Sequence, residues 1–326
     1  MAARHTQRED PERGRGRYAD RPAEIPAAGW RDVLVRVKDE LTHDNVSLIA
    51  AGLALYAVLA AFPGLAAAVS LYGLFSSPEQ IAGQIQGIAG VLPQDVTEIL
   101  RTALQDISSR QGQTLGVGAI VGFLVALWSA RKGVVALMAA TNIAYDEEEQ
   151  RGFFRQIFVS LAFTVGAVLG FVLVVLLAVA APLAMEALGL GGVALVALSA
   201  LRWVVLWTLV VLALAVVYRF GPDRTRPKWR WVSWGSVIAA TLWLIGSLLF
   251  TLYVRNFGTY GETYGALGGV VVLLLWFYLS GYVVVLGAEI NSEMEHQTSR
   301  DSTEGPVKPM GQRGAYAADT LGRKTS

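Results

Sequence analysis

Three groups of polar residues have the types and spacing that could do chemistry. The first is Ser129-Ala130-Arg131-Lys132-Gly133, followed by Asn142, Tyr145, the acidic run Asp146 to Glu149, and Arg151. The second is Tyr260-Gly261-Glu262-Thr263-Tyr264-Gly265. The third is Glu289-Ile290-Asn291-Ser292-Glu293, whose two carboxylates stand four apart and share a helix face. Cations and carboxylates placed this way could meet charged headgroups or pass ions; otherwise they are ordinary solvated helix ends. Glu289 lies just beyond an apolar run, where an unmatched charge is costly, so a pairing with Arg131 or Lys132 is expected.

Hydrolytic chemistry lacks its parts. The histidines are His5, His43 and His296, and none belongs to a His-Glu-x-x-His motif. No Gly-x-Ser-x-Gly elbow and no Walker lysine loop is present. With no cysteine, disulfides, thiolate nucleophiles and iron–sulfur sites are excluded. The glycine clusters at 189–192 and 265–269 sit at the ends of apolar runs, where turns or close helix packing explain them. No enzyme activity, cofactor or metal is expected.

The elements that must position these residues are six long apolar runs between Asn45 and Ala288. Charged residues bracket them, Asp44 with Glu79, Arg110 with Arg131, Arg155 with Glu186, Arg230 with Arg255 and Glu262 with Glu289, while the middles stay nearly free of charge. A bilayer core about 30 Å thick needs roughly 20 apolar residues in a helix, and five runs reach that length. Hydrophobic residues make up 54% of the chain, and the mean hydropathy is +0.46. The fold class is therefore an all-α integral membrane protein with six transmembrane helices, at about 46–75, 114–130, 156–182, 203–218, 232–254 and 266–288. Arg202 either snorkels from the start of the fourth or is drawn into it.

Lys and Arg number 27, and all but Arg101, Arg110, Arg202 and Arg255 fall in 1–45, 131–155, 219–230 or beyond Asn291. By the positive-inside rule those segments and both termini are cytoplasmic. Residues 1–28 and the tail 296–326 mix charge with Pro and Gly and are expected to be disordered. Val33, Val37 and Leu41 recur at helical spacing, which predicts a short helix on the membrane surface. Residues 134–145 are too mixed to cross and read as an interfacial or re-entrant helix. On the outer side, 77–110 reads as two amphipathic helices, from Ser77-Pro78-Glu79-Gln80 and from Asp95, forming a connector or a gate. Pro63 should kink the first span, and Gly166 and Gly170 have the small-xxx-small spacing of a packing face. Trp229, Trp231 and Trp234 among Arg224, Arg226, Lys228 and Arg230 read as an interface anchor, not as a nucleic-acid surface.

The stretches Ala50-Ala51 to Pro63, Trp128-Ser129-Ala130-Arg131-Lys132-Gly133 to Tyr145, and Tyr264-Gly265-Ala266-Leu267 to Glu295 resemble the YihY/BrkB family. These are bacterial inner-membrane proteins with six predicted helices, once labelled ribonuclease BN. The likeness covers about Trp30 to Glu295, and Gly287-Ala288-Glu289-Ile290-Asn291 is its most specific piece. One departure is Ala60-Ala61, where relatives often carry a serine before the aromatic-Pro pair. The resemblance implies fold and inner-membrane location; the family has no settled activity, and the residues do not support its ribonuclease label.

Three functional classes stay open. A non-enzymatic permease or lipid- and amphiphile-handling transporter fits three spans plus three of opposite topology and charge-free middles. An envelope-assembly scaffold would use 77–110 or the tails. A sodium or proton antiporter would need Glu262 or Glu289 to reach an aqueous cavity. The candidate polar residues are Arg131, Lys132, Asn142, Glu289, Asn291 and Glu293 on the cytoplasmic face, and Tyr260, Glu262 and Tyr264 outside. The expected partners are the bilayer, a phospholipid or other amphiphile, and a second copy of the chain, with no nucleic acid.

Overall fold

In lipid a helix satisfies its own backbone N–H and C=O groups, so uncharged runs of this length become helices. The computed structural model describes residues 13–73, 115–177, 192–256 and 266–325. Among them the helices are α1 (Ala27–His43), α2 (Val46–Gly73), α3 (Leu115–Ala144), α4 (Phe153–Val175), α5 (Gly192–Phe220), α6 (Trp229–Asn256), α7 (Ala266–Glu295) and the single turn α8 (Tyr316–Asp319). No strand occurs among the described residues, only an isolated bridge between Pro227 and Thr303. Five helices are long and apolar enough to cross a membrane, or up to six when the bent pair α1 and α2 counts as one span. The segment 77–110 and Tyr260, Glu262 and Tyr264 lie outside the described residues.

Helix α7 is the axis of the bundle, flanked by α2, α6 and α1. Small residues set its approach to α2, since a Cβ built on Gly281 would stand 3.3 Å from the Ala50 carbonyl oxygen. Indole hydrogen bonds fix its approach to α6, Trp243 to Ser280 at 2.9 Å and Trp276 to Ser247 at 3.3 Å. Val46, Leu53, Ala140, Tyr145, Tyr218, Val285 and Ala288 make one buried core between these helices. Elsewhere the long helices turn Leu, Val, Phe and Trp outward, among them Phe154, Phe158, Leu212 and Leu248. Such a surface suits hydrocarbon, not water.

Several expectations need correction. Helix α3 runs unbroken from Leu115 to Ala144, so 134–144 is not a separate re-entrant helix but part of one helix, whose stretch Leu124–Ala144 is long and apolar enough to cross a membrane. Two contacts let the helix pass its charges. Arg131 donates to the Ser160 hydroxyl at 2.5 Å and lies 5.1 Å above the Trp128 ring, while Gly133 fits closely against Tyr56 and Ala60 of α2. Helix α5 starts at Gly192, which places Arg202 inside it and not at its start. Helix α2 continues past Pro63. A sharp change of direction comes before it, a 64° bend between α1 and α2, at Asn45 with φ 52°, a left-handed conformation that Asn tolerates.

The two chain ends are ordered where described. Val33 and Val37 of α1 are buried against Trp231, Ile290 and Met294, so its apolar stripe packs on protein at the end of the bundle. Residues 296–325, expected to be disordered, wrap the same end. The Ser299 amide donates to the Arg17 carbonyl at 2.8 Å, and Arg15 donates to both Asp32 oxygens at 2.7 Å. Buried Arg313 donates to the carbonyls of Ala318 and Ser299 at 2.6 and 2.7 Å. Burial alone would push the Asp32 carboxyl up, but hydrogen bonds from Thr325 and Arg15 hold it below its ordinary value. The described N-terminal segment and residues 296–325 thus form one cap over the end of α7.

Candidate functional site

The polar end of α7 is sealed by the cap, and this decides what its side chains can do. Every residue from Gly287 to Thr298 is buried. Asn291 accepts the Gly235 amide at 2.9 Å and donates to the Val232 carbonyl at 3.3 Å, clamping α7 to α6. Glu293 pairs with Arg36 of α1 and lies 3.4 Å from His296. Glu295 takes Arg224 at 2.6 Å, with both side chains fully buried and the guanidinium 4.8 Å from the Tyr145 ring. Asn142 accepts the Asp223 amide at 2.7 Å and donates to Glu149 at 3.2 Å, joining two loops.

The expected pairing of Glu289 with Arg131 or Lys132 does not form. Arg131 turns to Ser160 on α4, Lys132 is exposed, and Glu289 is 2% exposed beside Asp44. Asn142, Glu289, Asn291 and Glu293 therefore gather at the capped end, while Arg131 and Lys132 stand apart from them on α3. As placed, Asn142, Asn291 and Glu293 hold helices and loops together.

The open feature is a groove between α4 and α5, of about 780 Å³. That volume is within the range of ligand pockets, roughly 300–1,000 Å³. Phe158, Phe163, Leu209, Leu212 and Val216 line its length, and Gly166 and Gly170 form part of its wall. A Cβ added at either glycine would meet nothing within 4 Å, so neither serves as a packing face at this point of the fold; both leave width to the groove instead.

At the capped end the groove is lipped by Arg151, Arg155, Arg219, Arg224 and Arg226, with Asp223 as the one carboxylate of the lining. Three of these arginines are committed. Arg151 binds Asp223 at 3.2 Å and the Gly221 carbonyl at 2.9 Å. Arg219 pairs with Glu304 and sits 4.5 Å over the Trp229 ring, and Arg224 is held by Glu295. Burial alone would lower the Arg224 pKa, but Glu295 and its neighbours raise it. Arg155 and Arg226 are exposed and have no carboxylate partner among the described residues. Arg226 lies 4.9 Å over Phe220, which keeps its head at the lip. An apolar slot ending in two available guanidiniums can hold an acyl chain with an anionic head, since guanidinium matches phosphate geometry.

Sequence reasoning missed this lip, although a signal existed. Arg155 precedes one apolar run and Arg219 closes the next. Consecutive antiparallel helices bring such positions to the same end.

Residues 37–310 match the family described as Virulence factor BrkB. A Bacillus subtilis strain 168 protein named as ribonuclease-like (YfkH) is 33% identical over 261 residues, covering 78% of this chain and 92% of its own. The UPF0761 membrane protein VV0203 of Vibrio vulnificus is 24% identical over 279 residues, covering 83% and 84%. A UPF0761 membrane protein of Vibrio campbellii is 29% identical over 272 residues, covering 78% and 81%. No solved structure matches.

Proposed function

The chain belongs to the Virulence factor BrkB family, and from that premise we propose that it is a non-enzymatic lipid-handling protein of the bacterial cytoplasmic membrane. Its capped end, with both termini, faces the cytoplasm. The observation that carries this reading is the groove between α4 and α5. Its apolar walls suit acyl chains, and Arg155 and Arg226 meet an anionic head at the depth where headgroups lie. The Lys and Arg bias supports this orientation, with the cap and the arginine lip toward the cytoplasm.

A non-enzymatic role is supported by what lines the groove. Among the described residues its single carboxylate, Asp223, is held by Arg151, and no histidine lines it. A general base is therefore not provided there. The ribonuclease-like name belongs to the Bacillus relative and brings no residue of this groove with it.

The test is reconstitution in vesicles that contain a fluorescent phosphatidylglycerol, with a membrane-impermeant quencher added outside. Wild-type protein is expected to speed exchange of the anionic lipid between leaflets. Arg155→Gln with Arg226→Gln should reduce the exchange, and Gly170→Phe should block it by filling the slot. Exchange no faster than in protein-free vesicles, from protein shown to be inserted and folded, would refute the reading.

A further inference from the structure

The bend between α1 and α2 gathers a second polar cluster that the groove does not use. Glu40 and His43 on the last turn of α1 and Asp44, which caps it, follow one another at i, i+3 and i+4, which places them on one face. One ligand atom from each lies within 4.8 Å of the other two. Asn45 turns the chain immediately afterwards. From α7, Glu289 reaches across to stand beside the Asp44 carboxyl group. Glu289 is 2% exposed, and its Oε1 has no hydrogen-bond partner.

Two carboxylates side by side repel unless a proton or a cation stands between them. A shared proton would satisfy Glu289 and Asp44 alone. It leaves unexplained why Glu40 and the His43 imidazole converge on the same point. A divalent cation accounts for all four, because each supplies a donor atom and the buried Glu289 oxygen gains a partner. We propose that Glu40, His43, Asp44 and Glu289 form a divalent-cation site.

Three carboxylates with one imidazole suit a manganese- or zinc-class ion better than calcium, whose sites are built from oxygen alone. An access path exists. Glu40 and His43 line a cavity of about 530 Å³ at the capped end, with Asp146, Glu293 and His296 on its other walls. Glu293 is already committed to Arg36 and His296, so it is not counted as a ligand. A bound ion would tie the end of α1 to α7 and so staple the cap to the bundle.

The experiment uses the full chain in detergent, freed of any purification tag, stripped with chelator and dialysed. MnCl2 is titrated in and followed by electron paramagnetic resonance, and thermal unfolding is recorded with and without MnCl2 or ZnCl2. One Mn²⁺ per chain is expected, together with a rise in unfolding temperature. His43→Ala and Glu40→Gln should each weaken Mn²⁺ binding by about tenfold or more. Glu148→Gln, an exposed carboxylate two residues beyond the cavity-lining Asp146, should change nothing. Glu289→Gln should raise the unfolding temperature of the metal-free protein, by removing a repulsion, while shrinking the response to metal. No bound Mn²⁺ with an unchanged unfolding temperature would overturn the proposal and leave a shared proton only. Binding undiminished in the His43 and Glu40 variants would overturn it as an adventitious ion only. An equal response to sodium would overturn it in favour of monovalent coupling.

Discussion

Replacing Arg224 with Met should unfold the cap more readily than any change on the lipid-facing helices. The guanidinium and the Glu295 carboxylate are both fully buried and meet at 2.6 Å. Among the described residues the only other donor to Glu295 is the Ser302 hydroxyl at 2.5 Å. Taking one partner from such a pair leaves a charge without water, which costs about 3–5 kcal/mol. Glu295→Gln should cost a similar amount, because it strands the guanidinium instead. Carrying both changes together removes both charges and the desolvation penalty with them. The double variant should therefore fall short of the summed single costs by about 2 kcal/mol or more. The nine tryptophans include buried Trp231 at the same end, so emission in detergent follows the transition. Single variants that cost less than about 1 kcal/mol, or costs that simply add, would refute the argument that this end of the molecule is dry.

Other consequences are as direct. Gly287→Val should prevent close packing of α7 with α5 and α6, because even a Cβ there would lie 2.3 Å from the Tyr218 hydroxyl and 2.7 Å from the Ala239 Cβ. A loss of about 1–3 kcal/mol is expected, read as aggregation on size exclusion, whereas Gly166→Val should elute as wild type. Truncation after Glu295 should lower the unfolding temperature even in rich detergent, since it removes the backbone carbonyls that Arg15, Arg17 and Arg36 donate to in the tail; an unchanged temperature would mean the tail is dispensable to the fold. Stability should peak at mildly acidic pH. Asp32 and Asp301 are held below 3.8, so their contribution is present above that value and is lost as pH falls through the folded one. Burial pushes Glu147 above 4.5, so its contribution is complete below that value and is lost as pH rises through the raised one. A denaturation series from pH 3 to 8 checks both arms, and stability rising steadily toward alkaline pH would contradict the second.

The apolar runs were legible because charge spacing alone marks where hydrocarbon can be crossed, and α4, α6 and α7 lie where the runs do. What stayed hidden depended on partners far away in the chain. Arg131-Lys132-Gly133 looks like a membrane edge until Ser160 and Trp128 are seen around the guanidinium. The terminal segments look unfoldable because, taken locally, they bury nothing; Arg17 meets His296 and Ser299 only in three dimensions. Glu289 was legible as an anomaly just past an apolar run, but its neighbour Asp44 belongs to another helix, and no spacing rule connects them. The arginine lip was half legible, since Arg224 and Arg226 stood out by composition while their position over the groove depended on α4.

The cap also sets an order of synthesis. The Arg17 carbonyl waits for an amide 282 residues later in the chain, a delay of roughly 15–60 s at about 5–20 residues per second. Throughout that interval the spans can enter the bilayer, but α1 and the end of α7 have no finished partner. Residues 296–325 act as the closing stitch, and the N-terminal segment is joined to the end of α7 only once they have been made.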